Sequence, residues 1–220
     1  MDYKQFEAEG WPWWSSPFNG QSRRLFIVSV LGSVLRPKFA IETGTYIGTT
    51  THFFNGLGVD KTYSIEIVKE YALVARKRHK QLIQQGKLEI ILGSSSDHIV
   101  KILKRISNDV PVIAYLDAHW HDFLPTKKEI TALIEWGGPF IAIVDDFQVP
   151  DFPGYDFDSY GDEIVGPRIV PVHPEISLWI PDESEEIETG ARRGTGYIFS
   201  KKALALFPSQ TLIDLKLRKF

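Results

Sequence analysis

The stretch FAIETGTYIGTTT, residues 39–51, decides how this chain folds. Phe39 to Thr43 read as a short buried strand, and the threonine run opens a helix. Gly44 and Gly48 form the turn between them, where glycine permits close backbone approach and unusual φ/ψ values. The helix behind the turn is expected to offer free N–H groups and a positive dipole end to an anion.

The same pattern repeats outward from this unit. KTYSIEI (61–67), KLEIILG (87–93), VPVIAYLDA (110–118) and PFIAIVDD (139–146) are nearly continuous in hydrophobicity, as strands covered on both faces are. Helical segments lie between them. VKEYALVARKRHKQLIQQ (68–85) is expected to be one helix ended by Gly86. SDHIVKILKRI (96–106) carries an apolar stripe at Ile99, Ile102, Leu103 and Ile106. PTKKEITALIEW (125–136) begins with Pro and stops at Gly137-Gly138. This alternation predicts an α/β fold, a single Rossmann-like domain over residues 1–220 with a mostly parallel, doubly wound sheet. ISLWI (176–180) and GTGYIFS (194–200) read as two late strands, antiparallel to each other.

Two regions break the rhythm. GWPWWSSPFNG (10–20) holds three of the six Trp and is expected to fold over the site as a lid, to pack as an N-terminal arm, or to build a subunit contact in a homo-oligomer. Residues 147–193 are rich in Pro, Gly and Asp and lack periodicity, and such long irregular segments tend to shape functional pockets. Within the irregular region, DESEEIE (182–188) reads as a solvated acidic loop, and Arg76 to Lys80 as a solvated helix face.

Composition narrows the classes. A hydrophobic content of 43% suffices for a real core, and a net charge of −3 advertises no nucleic-acid partner. The chain has no cysteine, which excludes a disulfide framework and thiolate metal sites and fits a reducing cytoplasm. No apolar run approaches the roughly 20 residues that span a bilayer. MDYKQFEAEG at the N-terminus is polar and does not read as a signal peptide.

The turn selects a ligand. Gly44 and Gly48 do not complete G-x-G-x-x-G, and no G-K-[ST] is present. Glu42 beside the turn sits badly with a pyrophosphate and suits an ammonium group. Glu66, at the end of the second strand, can accept both hydroxyls of a ribose. Ribose, carboxylate and amino group together describe S-adenosylmethionine. An NAD-dependent oxidoreductase and a non-catalytic nucleoside-binding module remain the alternatives.

The chemistry end is YLDAHWHDFLP (115–125) with IVDDF (143–147). Asp117, Asp145 and Asp146 end neighbouring strands and line one crevice. Three converging carboxylates repel unless something positive neutralises them, and a hard divalent cation such as Mg²⁺ does so.

IETGTYIGTTT, YSIEI, ILGSSSDHI, YLDAHWHDFLP and IAIVDDF, taken in order, resemble the successive motifs of class I S-adenosylmethionine-dependent O-methyltransferases. The resemblance covers residues 39–147. More narrowly it is to the metal-dependent branch that includes catechol O-methyltransferase and macrocin-type sugar O-methyltransferases. It implies that Glu42 and the backbone of Gly44, Thr45 and Gly48 hold the methionine end, and Glu66 the ribose, with Ile67 against the adenine. It also places Ser95 and Ser96 at the adenine, while one of Ser95, Ser96 and Asp97 caps the next helix. Trp120 would stack beside the adenine or pack in the core. Asp117, Asp145 and Asp146 would hold the metal, and the Asp-Asp pair leans the acceptor toward a sugar or other vicinal diol. His121 falls where the catechol enzymes place their basic lysine. The offset at Ala118 leaves His119 and His121 both open as the base, acting with Asp117 on a small hydroxylated acceptor.

Overall fold

The computed structural model describes residues 16–119 and 123–220. A helix α1 (Ser22–Leu35) precedes the alternating units β1 (Phe39–Thr43), α2 (Thr49–Gly56), β2 (Lys61–Glu66), α3 (Lys69–Arg78), α4 (Lys80–Gln84), β3 (Leu88–Leu92), α5 (Ser95–Leu103), β4 (Val112–Leu116), α6 (Thr126–Trp136) and β5 (Phe140–Val144). A short hairpin, β6 (Ser159–Tyr160) and β7 (Glu163–Ile164), follows, then β8 (Ile176–Pro181), β9 (Gly196–Ser200), α7 (Lys201–Leu204), α8 (Ser209–Asp214) and β10 (Leu217–Lys219).

The main sheet runs β10-β8-β9-β5-β4-β1-β2-β3. Five adjacent strands, β5-β4-β1-β2-β3, are parallel, as the continuous apolar runs predict, and β9, β8 and β10 are antiparallel. The late region thus contributes three antiparallel strands, and β8 pairs with β9 as expected. Strand order reverses between β1 and β4, which opens a crevice at their carboxyl ends.

Two cores cover the sheet. On one face Ile27, Val28, Leu31 and Leu35 of α1 meet Ala40, Ile113, Tyr115, Ile141 and Ile143. On the other, Ile99, Ile102 and Leu103 of α5 and Ile130 and Leu133 of α6 meet Ile41, Ile65, Val112, Leu116 and Val144. The strands alternate between these faces, so Tyr115 and Ile143 point to the α1 side, one pleat before the positions of Asp117 and Asp145.

Four local expectations are corrected. The helix over 68–85 is split at His79, which leaves helical geometry (φ −105°, ψ 22°) and bonds its Nε2 to the Gly48 carbonyl at 2.7 Å. That contact buries His79, so the face from Arg76 to Lys80 is not wholly solvated. The N-cap of α5 is Ser94, without a side-chain cap bond, and Ser95 and Ser96 lie inside the helix. The acidic loop is not simply solvated either: Glu188 is buried, and its carboxylate accepts from the Arg23 and Arg24 N–H groups at 2.8 and 3.0 Å. It therefore satisfies the exposed donors at the start of α1.

Residues 1–15 and 120–122 carry several expectations, the tryptophan-rich lid, Trp120 and His121, which lie outside the described residues. From the arm, Phe18 is fully buried against Phe53, Phe54 and Tyr115. Among the described residues no helix is long and apolar enough to cross a membrane.

Candidate functional site

The glycine turn is built by close packing. Gly44 and Gly48 both have φ +80°. A Cβ on Gly44 would lie 2.1 Å from the Asp117 carbonyl oxygen, and one on Gly48 would lie 2.7 Å from His79 Nε2. Gly44 is thus required first by the approach of β1 to β4, where β1 and β4 are in register up to Thr43 and Leu116. Gly44→Ala is expected to cost about 1–3 kcal/mol, the range for strained backbone. Denaturant titration checks this, and an unchanged midpoint would contradict it.

The N–H groups of Gly44 and Thr45 both reach the Ile65 carbonyl, at 2.9 and 3.2 Å, and that of Gly48 reaches the Thr45 carbonyl at 2.9 Å. These three residues therefore have no amide donor left for an anion. That is at odds with a pyrophosphate and fits a ligand that brings its own donors. Thr45 Oγ1 lies 2.5 Å from Ser64 Oγ.

Glu42 is buried, and its Oε2 accepts from Thr51 and Ser64 while Oε1 has no partner among the described residues. Burial pushes its carboxyl up to about 7, against the two hydroxyl hydrogen bonds. An unpartnered buried carboxylate oxygen beside a turn without donors suits an ammonium group. Glu66 accepts from the N–H groups of Tyr46 (2.7 Å) and Val68 (2.8 Å), and burial raises its pKa despite those bonds. Ile67 and Leu92 are exposed at the adjoining strand ends, an apolar flank for a planar ring. Ser95 is buried with its Oγ unpartnered, and Ser96 lies 3.0 Å from Ser94 Oγ. The residues expected to hold S-adenosylmethionine thus stand along one edge, at the ends of β1, β2 and β3.

Asp117 and Asp145 follow β4 and β5 in register. Asp145 is fully buried and does not face the crevice. Its carboxylate is taken by Arg24, Tyr115 and Asn19, and by the N–H of Asp146 at 2.7 Å. Its pKa is lowered: burial opposes ionisation, but the Arg24 charge and the Tyr115 hydrogen bond outweigh it. Arg24, 1% exposed, also donates to the carbonyls of Arg193 (2.8 Å) and Gly194 (3.2 Å).

Asp146 turns the other way, with φ +52°, a conformation Asp tolerates better than most residues. One oxygen meets Arg193 and the other lies 3.2 Å from His119 Nε2. Arg193 also pairs with Asp158. Asp117, His119 and Asp146 each offer a ligand atom, all within 4.8 Å of one another. Of the three aspartates expected at a metal, two are in this group, and His119 stands in it where Asp145 was expected.

Electrostatics describe an over-negative cluster. Burial, then the Asp145 and Asp146 charges, push Asp117 well above the ordinary carboxylate range, and burial with the Asp145 charge raises Asp146. For His119, burial opposes protonation but Asp146 outweighs it and raises the pKa. Asp117, Asp145, Asp146 and Asp158, if all ionised, face two guanidinium groups, Arg24 and Arg193, which leaves two negative charges uncompensated. That balance, with two carboxylates and an imidazole converging, fits one divalent ion.

A cavity of about 400 Å³, lined by Leu124, Tyr160, Gly161 and Glu163, opens next to this cluster, and the Tyr160 ring lies edge-on to His119 at 6.0 Å. A larger hollow, about 470 Å³, lies by Lys61, Leu88 and Glu89 at the amino ends of β2 and β3, away from the carboxylates.

Sequence reasoning missed Arg24, Arg193, Asp158 and Glu129. A signal existed for two of them. Arg24 falls on the stripe Ile27, Val28, Leu31 and Leu35, and Glu129 on the stripe Ala132 and Leu133, at helical spacing. A charge on a core-facing stripe needs a partner.

No protein-family model matches the sequence. Among solved structures, the chain is similar to an O-methyltransferase from Bacillus cereus in complex with SAH (17% identity, TM-score 0.51, covering 81% of this chain and 80% of that one). It is similar to cofactor-bound Rv0187 from MTB (17% identity, TM-score 0.52, 82% and 80%). It is also similar to spermidine synthase from Thermotoga maritima (15% identity, TM-score 0.52, 89% and 65%). At these identities the likeness is one of fold, the Rossmann-like α/β methyltransferase fold with antiparallel strands near the C-terminus.

Proposed function

We propose that this protein is an S-adenosylmethionine-dependent O-methyltransferase that acts on a hydroxyl of a small molecule with help from a divalent cation. The observation that carries the reading is the convergence of Asp117, His119 and Asp146 within 4.8 Å at the carboxyl ends of β4 and β5. This cluster lies across the Gly44 turn from Glu42 and Glu66. The fold shared with the O-methyltransferase that was solved with SAH supports the cofactor.

The chain's own groups divide the work. Glu42 takes the ammonium of the cofactor on its unpartnered oxygen, and Glu66 takes the ribose. Ile67 and Leu92 flank the adenine, with Ser95 and Ser96 at its edge. The cofactor supplies an electrophilic sulfonium methyl. Asp117, His119 and Asp146 would hold a divalent ion, which would supply Lewis acidity that makes a hydroxyl easier to deprotonate. The cavity beside Tyr160 admits the acceptor and confines it near Asp117. Arg193 fixes Asp146 and Asp158, so the cluster keeps its shape as a proton leaves. Once His119 is engaged as a ligand, the proton goes to His121 or to solvent. The acceptor class we read here is the one the sequence resemblance implies, a sugar or other vicinal diol.

The test is methyl transfer from labelled S-adenosylmethionine to a panel of sugars, catechols and simple alcohols. Thermal shift separates the alternatives first: SAH at 100 times its dissociation constant is expected to stabilise by about 2.7 kcal/mol, and NAD by nothing. Stabilisation by NAD alone would sink the reading. Glu66→Ala is expected to weaken SAH binding by about 1.5–3 kcal/mol, the range for hydrogen bonds to a charged group. Calorimetry showing full affinity in the folded variant would remove Glu66 from the site.

A further inference from the structure

His119 has two ring nitrogens, and the proposed cation site uses one. Nε2 faces Asp146, whereas Nδ1 is buried and meets no hydrogen-bond partner among the described residues. The first turn of α6 brings up Glu129, at 0% exposure and near enough for the His119 charge to act on its carboxyl. Among the described residues, neither Glu129 oxygen has a hydrogen-bond partner within bonding geometry, nor do Ser95 Oγ and Thr126 Oγ1, which are also buried. Thr126 lies three residues before Glu129, on the same side of α6.

Burial pushes the Glu129 carboxyl up to about 7, and the hydroxyls of Ser95 and Thr43 and the charge of His119 work against that rise. Glu129, Ser95, Thr43 and His119 are therefore near neighbours in one buried polar region. Buried polar atoms without partners are rare, and a fully buried carboxyl with none is costly unless it serves a neighbour. An imidazole that ligates a metal through one nitrogen commonly donates from the other to a carboxylate, which fixes the tautomer and ring orientation.

We propose that Glu129 is a positioning residue for His119: its carboxylate accepts the Nδ1 proton, directly or through one ordered water, and so presents the Nε2 lone pair to the space shared with Asp117 and Asp146. This rests on the cation-site reading. The Ser95 and Thr43 hydroxyls lie where they complete the carboxylate's hydrogen bonds. Glu129 touches neither acceptor nor cofactor. It acts through His119 alone.

The test starts from metal-free protein and titrates Mn²⁺ by calorimetry. Glu129→Leu is expected to weaken Mn²⁺ binding about 10- to 100-fold, with Glu129→Gln in between, because its carbonyl still accepts from Nδ1–H. SAH affinity is expected to hold in both variants, which shows that the fold is kept. A purely structural Glu129 would leave Mn²⁺ affinity unmoved, and that result overturns the proposal. If Glu129→Leu fails to fold, Glu129→Gln alone decides. A second arm needs no metal: nitrogen NMR of the His119 ring, assigned with His119→Asn, is expected to show a protonated Nδ1 whose shift moves in the Glu129 variants. Should the wild type take up no Mn²⁺, the cation reading itself fails. The NMR arm then decides on Glu129, and an Nδ1 signal identical in wild type and variants would overturn its role.

Discussion

Arg24→Ala is expected to cost about 3–5 kcal/mol, a large part of the 5–15 kcal/mol that holds a typical domain. The reason is the company Arg24 keeps. It is buried at 1% exposure and pairs with Asp145 at 0%, while donating to the carbonyls of Arg193 and Gly194. Removing it strands an ionised carboxylate and two carbonyls inside the protein. The pH dependence gives the sign. With Arg24 present, the Asp145 pKa lies below its ordinary value, so the pair's contribution is present above about pH 4 and fades as pH falls further. Without Arg24, burial alone would raise the Asp145 pKa above its unfolded value. The variant then gains stability as pH falls from 7 toward 4, and the gap to the wild type narrows. Urea titrations at pH 7.5 and pH 5 measure this. A gap under 1 kcal/mol at neutral pH, or one that widens in acid, would show that the pair does not carry the load assigned here.

That pair also explains what the sequence hid. The strands were legible because parallel strands buried on both faces must be continuously apolar: VIAYL and FIAIV are buried at every position. The carboxylates that end them were legible because cores reject ionisable groups. Their partners were not. Arg24 lies 121 residues from Asp145, and Arg193 lies 47 from Asp146. No local periodicity encodes such pairing. Read alone, three aspartates at strand ends call for a cation. With Arg24 in place, Asp145 already has its cation, and Asp145→Asn, which on sequence grounds would relieve repulsion, instead strands a buried guanidinium. The His79 break was hidden for a similar reason. Its ring is drawn to the Gly48 carbonyl 31 residues away, which outweighs a continuous helical pattern.

The second large effect concerns the cation. Chelation of the purified protein is expected to abolish methyl transfer, and added Mg²⁺ or Mn²⁺ to restore it. Asp117→Asn is expected to lower kcat/KM at least about 10²-fold, since several kcal/mol of transition-state charge stabilisation are at stake. Two guanidinium groups cannot replace the ion, because both are already committed: Arg24 to Asp145, and Arg193 to Asp146 and Asp158. Among the described residues no guanidinium pairs with Asp117, and its raised pKa follows from burial beside Asp145 and Asp146, which outweighs the Arg24 charge. Asp146→Asn keeps a side chain that tolerates φ +52° and one oxygen donor, so it separates charge from shape. It is expected to weaken the ion without unfolding the domain. Acid acts in the same direction. Asp117 and Asp146 take up protons above the ordinary carboxylate range, so cation affinity falls as pH drops while those groups fill. Calorimetric titration of Mg²⁺ at several pH values, beside turnover once an acceptor is found, checks both. Full turnover in excess chelator, from protein free of metal, would mean that Arg193 and a protonated His119 suffice to balance the site, and that the carboxylates hold those cations rather than a divalent ion.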